Sequence, residues 1–537
     1  MASVVTAHRI DGALPTGLSS EAHVGDGDHN SKEVRCALLG NVDSGKSTLV
    51  GVLSKGVYDD GRGLARSMVL NYSHEREKGQ TSSVALEMMG FRDGTDLSKA
   101  SAAETSSQEF KQVLPSKVTG RHDKDFYDVA TRSTHQLMLV DLCGHEKYLK
   151  TTIFGLTCIK PDFAVVIVGA NHGPLKMTKE HLGLCVALGI PVIVVITKID
   201  MCPPQVLKTT EKKVARILKM GKRKQYCVRT MKDAETAVST LPSNRIAPVF
   251  KVSSVTGEGL DLLKQFLTQI TCEGAEDLLA LRKSPVSLLG IPAAASTASS
   301  EGEDDENEST TNCSKSKSAT SPSRKKSTGD LVEFRIDGVY VVKGVGVVVG
   351  GVSVNGRISV GQRLNLGPDK VGNYTAVTVK SIHCKCVERD SAAPRSQCTL
   401  ALKSAAGSGA KPLKRAFFRK GMVLLSDDYF SKDATPSYRT FTAAVHVLHH
   451  STTMTPGYSP VVHIGVVRQA VKVLAIKDLE SGEDIVLRTG SRALITFEFC
   501  YYKEYLSPGM ILIFREGRAK GIGRVVTVGD RTEEEAQ

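Results

Sequence analysis

Gly40, Gly45, Lys46 and Ser47 stand at the spacing G-x4-G-K-S within "LLGNVDSGKSTLV", and that spacing is chemistry for phosphate. The stretch follows an apolar run, "VRCALLG", and precedes a helical one. A strand, a glycine-rich turn and a helix N-terminus in succession cradle phosphate groups with backbone N–H, while the lysine reaches the β- and γ-phosphates. The Ser47 hydroxyl is a hard oxygen ligand for Mg²⁺. Asp43, Ser44, Gly45, Lys46, Ser47 and Thr48 are therefore read as the wall of a nucleoside triphosphate site. A structural glycine turn would not need the lysine, the hydroxyl and the preceding strand together.

A phosphate loop does not choose a base, but two further strand ends can. "VVITKID" closes with Thr197, Lys198, Ile199 and Asp200, and "KVSSVTGEG" carries Ser253 and Ser254. A carboxylate at Asp200 accepts both N1–H and the exocyclic amino group of guanine, a donor pair that adenine lacks. A carboxylate left unpaired against the wrong base costs about 1–3 kcal/mol. The Lys198 stem can lie over the base plane and the Ser254 amide can donate to guanine O6. Each short motif alone is an ordinary strand-end turn; their order after the phosphate loop gives them weight.

Two polar stretches remain: "LVDLCGHEKYLK", with Asp141, Gly144 and His145, and "HEREKGQTSSV", with Thr81. Taken in chain order, phosphate loop, "DLCG", "TKID" and "SSV", each after a strand, resemble the GTPase superfamily. The histidine after "DLCG" is similar to the step carried by translational GTPases such as elongation factor Tu, where signalling G proteins carry glutamine. That resemblance implies roles. Asp141 holds Mg²⁺ through water, the Gly144 amide meets the γ-phosphate, and His145 orients the attacking water. Thr81 ligates Mg²⁺ and senses the γ-phosphate, and Asp43 recruits a monovalent cation. Two departures stand out: Thr197 replaces the usual asparagine of the base motif, and Gln80 replaces an apolar residue that, with the one matching Val42, screens the histidine from the water.

These residues need a frame. "EVRCALLG", "QLMLVD", "DFAVVIVG", "PVIVVITK" and "APVFKVSS" are near-continuous apolar runs, as strands buried on both faces should be. Helical patterns such as "MTKEHLGLCVALG" and "GLDLLKQFLTQI" alternate with them, which predicts a mostly parallel, doubly wound α/β sheet over 33–283. Residues 1–32 read as a disordered tail, about 94–124 as a surface insertion, and 284–329 as a low-complexity linker with an acidic block before a basic one. Beyond it the texture turns Val- and Gly-rich with closely spaced turn signals, predicting two small antiparallel β-barrels at 330–426 and 436–531.

Composition bounds the partners. The 537 residues carry a net charge of +13 and a pI of about 9.1. From Leu331 to Gln537 there are 28 Lys and Arg against 19 Asp and Glu, a surplus that suits a phosphate-rich partner such as RNA. No apolar run approaches a membrane span, and the first residues lack the apolar stretch of a secretory signal. Twelve cysteines without framework spacing suggest reduced thiols and a cytoplasmic setting; "SIHCKCVERD" reads as a strand with incidental thiols.

The barrel sequences "GVGVVVGGVSVNGRISVGQRLNL" and "ILIFREGRAKGIGRVVTV" resemble the second and third domains of translation factors, the latter including Arg515, Glu516, Gly517 and Arg518. "GHEKYLKTTIFGLT", "TKIDMCP", "LRTG" and "VLHHSTT" bring the resemblance closest to the GTP-binding protein 1 and 2 branch. It implies a monomeric GTPase that uses GTP, GDP and Mg²⁺, binds tRNA or other RNA and the ribosome, and works in translation elongation or mRNA surveillance and decay. Two alternatives stay open: an adaptor that recruits an mRNA-decay complex without carrying tRNA, or the GTPase subunit of a sulfate-activating complex.

Overall fold

The apolar runs lie side by side in one eight-stranded sheet. In the computed structural model of the chain, the described residues are 33–70, 72–93, 110–116, 122–274, 331–405, 413–430, 435–449, 453–479, 481–516 and 519–529. The strands of the first domain are β1 (Glu33–Gly40), β2 (Ala85–Asp93), β3 (Phe110–Val113), β4 (His135–Asp141), β5 (Phe163–Gly169), β6 (Val192–Thr197), β7 (Lys224–Cys227) and β8 (Ile246–Lys251). Its helices are α1 (Lys46–Lys55), α2 (Leu64–Ser67), α3 (Ser73–Lys78), α4 (His122–Arg132), α5 (Leu149–Ile159), α6 (Lys176–Ala187), α7 (Pro204–Met220), α8 (Met231–Thr240) and α9 (Leu260–Cys272).

The strand order is β3-β2-β4-β1-β5-β6-β8-β7. β4, β1, β5, β6, β8 and β7 run parallel, whereas β2 and β3 join antiparallel at one edge. Both faces are covered. Leu49, Leu53, Leu263 and Phe266 of α1 and α9 close one core, and Phe126, Leu156, Leu182 and Leu218 of α4, α5, α6 and α7 close the other. Every residue of β5 is buried, so its uninterrupted apolar run has apolar partners on both sides. The carboxyl ends of β1, β4, β6 and β8 therefore open on one rim, the usual place for a ligand in such sheets.

β2 is not an apolar run because Glu87 sits inside it, 2% exposed. Lys55 of α1 pairs with that carboxylate at 3.3 Å and with Asp125 of α4 at 3.4 Å, so the charge is buried as part of a triad. β3 and the start of α4 fall inside the range expected to be an insertion; 94–109 and 117–121 lie outside the described residues, as do the expected tail and linker.

From residue 331 onward come two antiparallel β-barrels. In the second domain, Arg363–Gly367 pairs with both Val423–Leu425 and Thr375–Cys384, which closes a ring around Phe334, Val349, Leu366 and Leu400. The third is a closed six-stranded barrel filled by Phe441, Phe497, Phe499 and Phe514. Gly517 and Arg518 of the carboxyl-terminal motif lie outside the described residues. No helix among the described residues is long and apolar enough to cross a membrane.

Both barrels dock on the sheet domain. Leu149 and Ile153 of α5 and Met177 of α6 pack with Ile513 and Ile522 of the third domain, and Lys520 pairs with Glu180. Cys158, one turn further along α5, meets Val423 and Leu425 of the second domain and Val466 and Tyr505 of the third. At the opposite rim Arg395 pairs with Asp162 at 3.0 Å and Lys385 with Glu33 at 3.1 Å. Burial pushes the Glu33 carboxyl up, yet Lys385 and Arg35 hold it down to about 2.

Candidate active site

The phosphate loop leaves β1 through a backbone that only glycine tolerates at Gly40. Its φ is +154°, and a Cβ there would lie 2.5 Å from the Ile167 carbonyl oxygen. Asp43 and Gly45 also take positive φ, which wraps the loop before α1 begins at Lys46. The first N–H groups of α1 then face the loop's concavity, the arrangement that receives phosphate. His181 of α6 accepts the Gly40 N–H at Nδ1, 3.2 Å, and its ring is kept neutral, with a pKa lowered to about 3 by burial and by Lys46.

Lys46 is buried, donating to the Asn41 carbonyl at 2.9 Å. Burial lowers its pKa, opposed by Asp141, Cys143 and Asp43. Gly144 approaches from the β4 side so closely that a Cβ there would lie 2.5 Å from Lys46 Nζ and 2.8 Å from the Gly40 carbonyl oxygen. A bare backbone amide is what fits against the γ-phosphate position.

Ser47, Thr81 and Asp141, far apart in sequence, converge. Ser47 Oγ lies 2.6 Å from Asp141 Oδ2 and 2.9 Å from Thr81 Oγ1, and Thr81 Oγ1 lies 3.4 Å from Asp141 Oδ2. The other carboxylate oxygen, Oδ1, is buried without a hydrogen-bond partner. Burial pushes the Asp141 carboxyl up, against the pull of Lys46, Ser47 and Thr81. Such a set fits Mg²⁺, whose octahedral oxygen ligands at 2.0–2.1 Å stand about 2.9 Å from their neighbours. Glu75 of α3 fixes the threonine's segment: its Oε1 accepts from the Ser82 and Ser83 N–H groups at 2.8 and 3.1 Å and from both hydroxyls.

On the base side, Thr197 does not face solvent. Its Oγ1 donates to the Ser44 carbonyl at 2.7 Å and so ties the end of β6 to the phosphate loop. The hydroxyl in place of asparagine thus holds the loop rather than standing idle. Lys198 adopts φ +62°, turning the chain so that Asp200 is exposed, with no carboxylate partner among the described residues. Ser253 Oγ accepts from the Val255 and Thr256 N–H groups at 3.2 and 3.1 Å, bracing the turn that carries Ser254. Thr197→Val keeps the shape and removes the donor. It should weaken GTP and GDP binding alike, by about 5- to 150-fold, the equivalent of about 1–3 kcal/mol for a stranded carbonyl. Nucleotide titration of the purified variant reads this directly, and a loss confined to GTP would contradict it.

His145 stands exposed at the mouth of the cleft, where Val42, Gln80, Thr81 and Gly144 also line the wall. Its Nδ1 accepts the Lys147 N–H at 3.0 Å, so in the neutral ring the proton sits on Nε2, which is left as a donor. Sequence reasoning did not find Arg66, His181 or Glu75. The first also lines the cleft, and the other two support it from behind. His181 sits in an amphipathic helical pattern and Glu75 in a charged run, so neither carried a readable signal. The Cys384 and Cys386 turn stays apart from this cleft, and the described residues contain no group of three or more His, Cys, Asp or Glu able to hold a metal.

A mostly parallel sheet with a phosphate loop after β1, a DxxGH turn after β4 and two trailing barrels defines a GTPase of the translational type. Residues 31–273 match the family described as the elongation factor Tu GTP binding domain. The chain is 37% identical over 501 residues to GTP-binding protein 1 of Xenopus laevis and 35% over 508 residues to GTP-binding protein 2 of Homo sapiens. Those matches take in 93% and 94% of this chain but 64% and 71% of the relatives' own length. The crystal structure of translation elongation factor SelB from Methanococcus maripaludis, in complex with the GTP analogue GppNHp, superposes with a TM-score of 0.55 at 17% identity, covering 93% of this chain and 80% of that one. The chain belongs to the GTP-binding protein 1 and 2 family of elongation factor Tu-type GTPases.

Proposed function

We propose that the chain binds GTP with Mg²⁺, hydrolyses it to GDP and phosphate, and uses the two states to grip and release an RNA partner at the ribosome or in mRNA surveillance and decay. The observation that carries this is the convergence of Ser47, Thr81 and Asp141 beside Lys46 and Gly144. Ser47 and Thr81 would hold the cation directly and Asp141 through water; the bound cation neutralises charge on the β- and γ-phosphate oxygens. Lys46 binds the same oxygens, the loop from Asp43 to Thr48 wraps them, and the Gly144 N–H donates to the γ-phosphate. The Nε2–H of His145 orients the attacking water. Asp200 and Ser254 read guanine, Lys198 covers its face, and Asp43 would recruit a monovalent cation.

The switch reaches the barrels through α5. That helix starts four residues after His145 and packs on both of them, so a change at Gly144 or His145 alters the footing of both. An RNA partner is supported by the net charge and by α7, where Lys208, Lys212, Arg216 and Lys219 form an exposed stripe at helical spacing. SelB, a translation elongation factor of the same fold, points the same way. The protein acts as a cytoplasmic monomer.

The test is a titration of aminoacyl-tRNA against the GTP- and GDP-loaded forms, with turnover measured with and without ribosomes. Tighter binding of the GTP form together with ribosome-stimulated turnover is expected. Equal affinities of the two forms would remove delivery of tRNA, and turnover indifferent to ribosomes would remove the translational setting.

A further inference from the structure

The phosphate cleft holds one positive charge that the phosphate-loop signature does not explain. Arg66 of α2 lines the same wall as Lys46, Ser47, Thr81, Gly144 and His145. Among the described residues its guanidinium has no hydrogen-bond or ion-pair partner. An arginine beside a cleft built for anions, with its five donors uncommitted, is prepared for an anion.

Its backbone is fixed before any ligand arrives. Asp59 Oδ1 accepts the Ala65 N–H at 3.0 Å, and Asp60 Oδ1 accepts the Gly63 and Leu64 N–H groups at 3.0 and 3.1 Å. Ala65 is fully buried, and α1 lies so close that a Cβ on Gly51 would come 2.2 Å from the Ala65 carbonyl oxygen. The side chain then crosses two glycines. A Cβ at Gly63 would meet its Nε at 2.3 Å, and one at Gly79 would meet its Cζ at 3.1 Å. Both glycines have positive φ, so a side chain at either would be strained as well as in the way. Gly79 is two residues before Thr81, which places the guanidinium against the segment that senses the γ-phosphate.

Building on the reading of this cleft as a GTP site, we propose that Arg66 is a catalytic residue, an arginine supplied by the chain itself to the γ-phosphate of GTP. Lys46 reaches the phosphates from the loop floor; Arg66 reaches them from the wall made by α2 and Gly79. In the step, the water oxygen bonds to the γ-phosphorus while the bond from that phosphorus to the β–γ bridging oxygen breaks. The bond's electron pair leaves with GDP, and the water's proton ends on the released phosphate. Arg66 stays protonated and donates hydrogen bonds to the oxygens on which charge accumulates, its planar fork matching two of them at once. Since Arg66 rests on Gly79, movement of the Thr81 segment after hydrolysis withdraws it from the products.

The full chain carrying Arg66→Ala or Arg66→Lys tests this in two measurements: single-turnover GTP hydrolysis, and affinity for GDP with and without aluminium fluoride, which mimics the transferring phosphoryl group. Arg66→Ala should hydrolyse GTP about 10³-fold more slowly, the lower end of the range of about 10³–10⁵ that such arginines supply elsewhere. Its GTP and GDP affinities should stay within about threefold of the parent, and aluminium fluoride should no longer tighten GDP. Arg66→Lys should recover only part of the rate, because an ammonium cannot bind two oxygens in one plane. A parental rate in Arg66→Ala with GTP bound overturns the proposal. So does a rate that falls only in proportion to GTP affinity, which makes Arg66 a ground-state anchor. Failure of the unaltered chain to bind any guanine nucleotide is a different result, and it overturns the GTP reading and the proposal with it.

Discussion

Asp200→Asn will lower GTP affinity by about 10- to 150-fold and turn the preference toward xanthosine triphosphate, since one of the two hydrogen bonds to a charged acceptor is lost, worth about 1.5–3 kcal/mol. A carboxylate reading guanine would accept N1–H and the exocyclic amino group; an amide offers one acceptor and two donors, and it repels one guanine donor. Xanthine carries a carbonyl where guanine carries the amino group, so the same amide finds a matching acceptor there. The position is suited to a clean result. Asp200 is exposed and without a partner among the described residues, so the exchange leaves the sheet and the phosphate loop as they are. Competition of GTP, XTP and ATP for the purified variant gives the answer, and unchanged GTP preference would mean that the base is read elsewhere.

What could be read from the sequence follows how local the cause was. β5 and β6 were legible because a strand covered on both faces must be apolar throughout, and neither run has a polar residue before the terminal Thr197 of β6. β2 was not legible, because the partners that neutralise Glu87 come from α1 and α4, tens of residues away. The site shows the same division. The phosphate loop depends on residues within one turn, so its spacing announces it. Thr81 had meaning only through the flanking motifs, and the structure brings its hydroxyl to 2.9 Å from Ser47. Thr197 was recognised as a departure, but its bond to the Ser44 carbonyl needs the relation of β6 to the loop after β1. Arg66 escaped notice because nothing in "GRGLARSMVL" says that α2 would stand at the wall of the cleft. That follows from the packing of α1 on Ala65, a contact between elements.

His145→Ala should leave GTP affinity within about threefold of the parent and reduce ribosome-stimulated hydrolysis by about 10²- to 10⁴-fold, the range for a positioned group acting on the attacking water. The argument rests on where the proton is. Nδ1 is committed as an acceptor to the Lys147 N–H, so in this arrangement Nε2 bears the hydrogen and cannot remove one from water. Its contribution is alignment, as a donor that fixes the water or the γ-phosphate oxygen, and alignment counts only once a partner brings the ring inward. The stimulated rate should therefore fall while the unstimulated rate barely changes. The gate on that motion also differs from an apolar pair, since Gln80 lines the cleft together with Val42. A glutamine side chain can hold water as well as exclude it, so Gln80→Ile in the otherwise unaltered chain should lower the unstimulated rate while keeping stimulation. Rapid-quench measurements with and without ribosomes separate the two rates, and equal stimulated rates for His145→Ala and the parent would remove the histidine from the mechanism.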